Sequence, residues 1–135
     1  MTDVDAKGHN APCSNKDFDF FYRGLEAEQV LIQKCSGCGA LRNPPSPCCP
    51  ECRSFEWEAI PLSGEGKVHS FTVHHHPALP GFATPHPVAL ADMAEGIRLL
   101  GAMDGTSPDA IHIGMPVRFE FLRRENVAAF RFRAA

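Results

Sequence analysis

Long apolar runs are missing from this chain of 135 residues. None approaches the roughly 20 residues that a helix needs to span a bilayer, so no membrane-spanning segment is expected. Amphipathic aromatics are scarce: one Trp and one Tyr stand beside ten Phe, a poor stacking platform for nucleic-acid bases. Basic excess is missing too. Lys and Arg number 13 against 16 Asp and Glu, for a net charge of −3, whereas a general nucleic-acid binder usually carries a strong positive surplus. Residues 1–10 are polar and have no apolar h-region, so no secretory signal is expected. There is no Gly-rich phosphate loop and no nucleophile elbow. Nothing in the chain forms a self-sufficient catalytic set.

What is there fits one domain, or a compact domain with a small appendage. Hydrophobic residues make up 44% and charged residues 21%, a globular balance. A core of this size is small, so a metal staple would help. Charge is uneven. Residues 1–65 hold ten acids and six bases, residues 66–135 six acids and seven bases, and residues 117–135 five Arg against two Glu.

Residues 1–15 read as a disordered tail. Ser14 and Asp17 resemble a capping box. Phe18, Phe21, Tyr22 and Leu25 then recur at helical spacing, with Gly24 near the expected helix end. This stripe is too apolar for a free solvent face. Residues 30–34 read as a strand leading into Cys35, so residues 16–34 form a helix and lead-in strand. Between 35 and 56 the composition shifts to Cys, Gly, Pro and Ser, and prolines at 44, 45, 47 and 50 exclude helix and central strand. Residues 57–135 turn to β patterning. Strands are expected at 67–76, 88–93, 97–103, around Val117–Phe121 and around Phe130–Phe132, with an irregular proline-rich loop at 77–87. Five such strands close most economically as an OB-type barrel.

The cysteines carry the sharpest signal. Cys35 and Cys38 form one C-x-x-C pair, Cys49 and Cys52 another, ten residues apart. Each pair can form a knuckle that aims two sulfurs at one ion, and zinc takes four thiolates tetrahedrally in closed structural sites. Gly39 suits a left-handed turn after the first pair, and Pro50 fixes φ inside the second. One structural Zn2+ per chain is expected, in preference to disulfides or a rubredoxin-type iron. With no export signal, a reducing cytoplasm is the expected compartment. Cys48 can substitute for Cys49 by spacing, but the Cys-Pro-x-Cys knuckle favours Cys49. Cys13 reads as a free thiol. A four-thiolate shell has no open position, so it should not activate water.

His74, His75 and His76 are consecutive, and alternation puts His75 on the opposite strand face from the other two. No nearby Asp or Cys completes a metal shell, and a strand end rich in His is the plainer reading. Arg118, Arg123, Arg124, Arg131 and Arg133 form either a solvated strand face or a patch suited to phosphate or carboxylate.

The order of parts resembles a known family. The residues that carry the resemblance are Cys-Ser-Gly-Cys-Gly at 35–39, Leu-Arg-Asn-Pro-Pro at 41–45, Cys-Pro-Glu-Cys at 49–52, Gly-Glu-Gly-Lys-Val-His-Ser-Phe-Thr-Val at 64–73 and Ile-Gly-Met-Pro-Val at 113–117. Together they resemble the zinc-ribbon plus OB-fold proteins, long catalogued as a domain of unknown function, that accompany thiolase-superfamily enzymes. The resemblance covers about residues 16–133. It implies a mainly β fold: an N-terminal helix, a rubredoxin-like zinc ribbon at 35–56 and a five-stranded OB-fold β-barrel at 57–135. It implies zinc ligands at Cys35, Cys38, Cys49 and Cys52. It also implies an accessory subunit that binds a thiolase, a thiolase-like aldolase or an acyltransferase and helps form its acyl-CoA site, with a CoA ester as ligand of the complex and the catalytic residues in the partner. The loop around Pro80-Gly81-Phe82 would lie near acyl-CoA or partner. Phe82, His75, Arg131 and Arg133 are the expected contacts, the arginines meeting CoA phosphates. No nucleic acid and no membrane are expected as partners. The runner-up is a single-stranded nucleic-acid module, and a third reading is a stand-alone enzyme using the His cluster.

Overall fold

The computed structural model of the chain describes residues 16–78, 81–124 and 126–135. The expected tail at 1–15, Cys13, the Ser14 half of the capping box and Pro80 lie outside them.

Helix α1 spans Asp19–Glu26. Its apolar stripe does not face solvent: Leu25 is buried, and Phe21 and Tyr22 pack against the main core. The ring of Phe21 meets Phe130 edge-on at 6.4 Å, while Phe20 lies 4.8 Å from Trp57. The helix is therefore held from two sides by its own chain. It closes with Gln29 N–H donating to Gly24 O (2.9 Å) and Glu28 N–H to Leu25 O (3.0 Å), with Glu28 at φ 57°. A left-handed residue here satisfies the last carbonyls and turns the chain towards the first strand.

Two antiparallel sheets follow. The first has the order β2–β1–β3, from β1 (Leu31–Cys35), β2 (Leu41–Arg42) and β3 (Trp57–Pro61). β3 begins where the barrel was expected to begin, yet it pairs along the whole of β1, Leu31 opposite Pro61 and Cys35 opposite Trp57. The ribbon is thus a three-stranded sheet with its two cysteine knuckles in the connections.

The second sheet is the barrel, in the order β6–β5–β4–β7–β8. Its strands are β4 (Glu65–His74), β5 (His86–Met93), β6 (Arg98–Ala102), β7 (Pro116–Arg124) and β8 (Val127–Ala134). β4 is shared, pairing with β5 from Gly66 to His74 and with β7 from Glu65 to Lys67. The Ile-Gly-Met-Pro-Val segment clips onto this strand: Gly114 N–H donates to Val68 O and Val68 N–H to Met115 O. β6 and β8 face each other where the barrel nearly closes. A Cβ on Gly101 would sit 2.7 Å from the ring of Phe132, so the absence of a side chain allows the approach. Phe132 is fully buried there, and Phe119, Phe130 and Phe132 form one aromatic cluster with centroids 5.2 to 5.8 Å apart. Val30, Ile32 and Leu62 from the ribbon side join the same core as Val68, Leu99, Val117 and Phe132, so one apolar interior serves both sheets.

Candidate metal centre and barrel mouth

β1 ends on Cys35 and delivers its sulfur to the interior. The chain then doubles back: Gly39 N–H donates to Cys35 O (2.9 Å) and Cys35 N–H to Ala40 O (2.8 Å). The second knuckle repeats this, with Arg53 N–H donating to Cys49 O (2.8 Å) and Cys49 N–H to Ser54 O (2.9 Å). Each knuckle therefore has one buried sulfur, Cys35 or Cys49, and one exposed cysteine, Cys38 or Cys52.

The four sulfurs lie within 4.8 Å of one another. Cys35 Sγ and Cys52 Sγ are 3.4 Å apart, Cys38 Sγ and Cys49 Sγ 3.7 Å. Thiolates about 2.3 Å from a tetrahedral zinc are separated by roughly 3.8 Å, so donor set and spacing fit that ion. Bound there, zinc supplies a rigid four-way cross-link and no open coordination position. Cys48 is not one of the four. Its thiol points at Cys49 O at 3.7 Å, and Cys49 supplies the fourth sulfur.

The thiols also show why a cation belongs here. A hydrogen bond from the Cys38 N–H lowers Cys35 to about 6, burial opposing and the Cys52 thiol and Gly37 N–H assisting. Cys52 is pushed up to about 12: the Ser54 N–H draws it down, but Cys35, loss of water and the other two sulfurs outweigh that bond. Four negative sulfurs at this spacing need a dication between them. Among the described residues, these cysteines are the one group of three or more ligating side chains close enough to share an ion.

The histidines separate. His74 stands opposite His86 in the β4–β5 ladder, and its Nε2 lies 2.7 Å from Pro77 O. His75 and His76 are exposed. His86, which the sequence did not single out, has its Nδ1 buried without a partner. An N–H there would be stranded, so the proton belongs on Nε2. Burial lowers the pKa of His86, with Asp104 opposing and Arg124 and His74 adding to the shift. The His86 ring meets that of the exposed Phe82 edge-on, 5.0 Å away. Arg124 sits over the ring of Phe82, 5.5 Å from its centroid. Phe82 and Arg124 border a cleft of about 310 Å³ floored by Gly101, Ala102, Ala129 and Phe130. OB barrels bind ligands with these same loops, the first-to-second and fourth-to-fifth connections.

Four of the five C-terminal arginines are held by carboxylates. Arg124 is bidentate on Asp104 (2.8 and 2.9 Å). Arg131 bonds Glu120 at 3.2 Å and reaches Asp104 at 3.5 Å; its side chain is 20% exposed. Arg133 bonds Glu120 at 2.9 Å and Arg123 bonds Glu26 at 2.9 Å. Glu120 lies opposite Arg131 across β7–β8, so the acid and its partners are set by hairpin register.

Two family models tile the chain: the ChsH2 rubredoxin-like zinc ribbon domain over residues 23–58 and the ChsH2 C-terminal OB-fold domain over residues 59–122. The solved structure titled Ltp2-ChsH2(DUF35) aldolase superposes with a TM-score of 0.87 at 40% identity, over 92% of this chain and 98% of the matched one. The chain belongs to the ChsH2-type DUF35 family. Family relatives include a probable enoyl-CoA hydratase alpha subunit of Thermomonospora curvata, 42% identical over 84% of this chain. The 3-oxo-4,17-pregnadiene-20-carboxyl-CoA hydratase alpha subunit of Mycobacterium tuberculosis is 38% identical over 89%. The benzoylsuccinyl-CoA thiolase subunit BbsA of Thauera aromatica is 29% identical over 73% of each chain. This DUF35 chain spans only 36% and 38% of the length of the two hydratase subunits. Among its described residues no helix is long and apolar enough to cross a membrane.

Proposed function

We propose that this chain is a zinc-pinned accessory module that assembles with a thiolase-superfamily enzyme and helps form that enzyme's acyl-CoA site. The observation that carries the reading is the match, over nearly the whole of its length, to the DUF35 chain of an aldolase structure. The thiolase subunit among the relatives points to the same kind of partner. The site chemistry agrees. A closed four-sulfur centre builds architecture, and the rest of the described surface presents binding groups without a nucleophile–base pair. Catalytic groups then come from the partner.

The face assigned to acyl-CoA is the barrel mouth. Phe82, 39% exposed, and the exposed His75 project from the 75–85 loop. Arg133, with a side chain 46% exposed, lies six residues along β8 from the turn beside Arg124, so it would meet a CoA phosphate away from the mouth while Glu120 holds its other side. Arg131, clamped by two carboxylates, keeps that surface in shape. The test is reconstitution with an aldolase subunit of the Ltp2 type. Turnover of an acyl-CoA by the pair should exceed that of the aldolase alone, and Phe82→Ala should raise KM for the acyl-CoA about tenfold, the low end of the cost of losing an aromatic anchor. No gain over the aldolase alone refutes the reading.

A further inference from the structure

Arg42 is 7% exposed and Gln33 2% exposed, a cation and an amide inside a small ribbon. They are direct partners across β1 and β2. Strand alternation puts Gln33 on the same face as Cys35, two residues further on, and cross-strand pairing puts Arg42 on that face too. The guanidinium binds only neutral acceptors. Its Nε donates to Gln33 Oε1 (2.9 Å) and to Ser46 O (3.2 Å), and Nη2 donates to Ser46 O (3.1 Å). Nη1 is buried with no acceptor. Among the described residues no carboxylate pairs with it.

A guanidinium cannot shed its proton to escape burial, so a buried one requires a negative field. Among the described residues, the one group of side chains close enough to share an ion is the cysteine cluster, and the same elements build it. Gln33 is two residues from Cys35. Ser46, which also donates its N–H to Gln33 Oε1 (2.8 Å), is three residues from Cys49. At no more than about 3.6 Å per residue, those links hold the anchoring Cα atoms within roughly 7 and 11 Å of the cysteines'. Four thiolates on one divalent ion carry a net charge of −2.

We propose that Arg42 is the buried counter-charge of the metal centre, so that the ion and the guanidinium stabilise each other. The proposal rests on the four cysteines holding zinc. It makes metal occupancy felt beyond the knuckles. Arg42 fixes Ser46, and Asn43, its chain neighbour, donates to Arg98 O on β6 at 3.1 Å. An empty centre leaves the guanidinium uncompensated and loosens the 43–48 loop that ties ribbon to barrel.

The experiment is zinc competition against a chromophoric chelator on the full chain, with metal content measured first. Wild type should bind one zinc. Arg42→Gln, which keeps donors but removes charge, should bind zinc at least about tenfold more weakly, the usual scale for a group supporting a metal's ligands. Arg42→Lys should stay much closer to wild type. Gln33→Glu supplies a rival anion, so it should stabilise the apo protein to heat while weakening zinc. Co2+-loaded Arg42→Gln should keep the absorption of a tetrahedral thiolate site, separating lost charge from lost geometry. Arg42→Gln with wild-type zinc affinity, Arg42→Lys as weak as Arg42→Gln, or Gln33→Glu without effect on zinc would each overturn the proposal. A wild-type chain that binds no zinc overturns the metal reading with it.

Discussion

Gly39 and Arg53 occupy the same place in the two knuckles. Each stands four residues after the first cysteine of its pair, with φ 78° and 65°, and each donates its N–H to that cysteine's carbonyl. The left-handed conformation costs an ordinary residue about 1–2 kcal/mol. Arg53→Gly should therefore be neutral or stabilising by up to about 1 kcal/mol, because relief of strain exceeds glycine's added unfolded-state entropy. Gly39→Ala should cost about 1 kcal/mol. Urea denaturation of the metal-loaded protein checks both signs.

Cys49 and Cys48 are neighbours with different fates. Cys49→Ser removes one of the four converging sulfurs and should abolish tight zinc binding. Cys48→Ser should keep one zinc per chain, as metal analysis after gel filtration would show. Equal loss in the two variants would contradict the assignment.

The seam between β6 and β8 depends on Gly101. A methyl group there would press on the ring of Phe132, and overpacking of this kind costs about 1–3 kcal/mol. Phe132→Ala should cost about 3–5 kcal/mol through the cavity it leaves. Thermal melts of Gly101→Ala and Phe132→Ala should both fall, the second further.

The ion pairs of β7 and β8 set an acid limit. Hydrogen bonds from Arg131 and Arg133 hold the Glu120 carboxyl below its ordinary value. Asp104 is also lowered, burial opposing but Arg124 and Arg131 prevailing. A carboxyl depressed in the folded state adds stability above its unfolded pKa of about 4, and that stability is lost as pH falls through the lower folded value. Wild type should lose stability between about pH 4 and the lowered values, and Asp104→Asn should show a shallower fall there. Denaturation midpoints taken from pH 6 down to 3 decide it.

Much of this was legible from local pattern. The two C-x-x-C pairs placed the sulfurs, and the alternation through Phe119 and Phe121 and through Phe130 and Phe132 marked the last two strands. Local pattern fell short where partners are distant. β3 carries little apolar alternation because much of it is exposed, and its ladder with β1 is what shows which sheet it joins. The C-terminal arginines read as either a solvated strand face or an anion-binding patch because their carboxylate partners, Glu120 and Asp104, are not adjacent in sequence. Folding the hairpin so that Arg124 faces Val127 brings Glu120 opposite Arg131, so that pairing was within reach once the turn was placed. The apolar stripe of α1 signalled a covered face, and what covers it, Phe130 and the core, is distant in sequence. The Gln33–Arg42–Ser46 network left only a faint mark, a Gln inside an apolar strand.

The central claim is a metal-pinned module that completes an acyl-CoA enzyme. Native mass spectrometry of the zinc-loaded chain mixed with a thiolase-superfamily aldolase subunit, before and after chelation, tests it most directly. The account predicts a hetero-complex carrying one zinc per copy of this chain, which dissociates when the zinc is removed. A zinc-loaded chain that forms no complex, or a complex that survives unchanged without zinc, would contradict it.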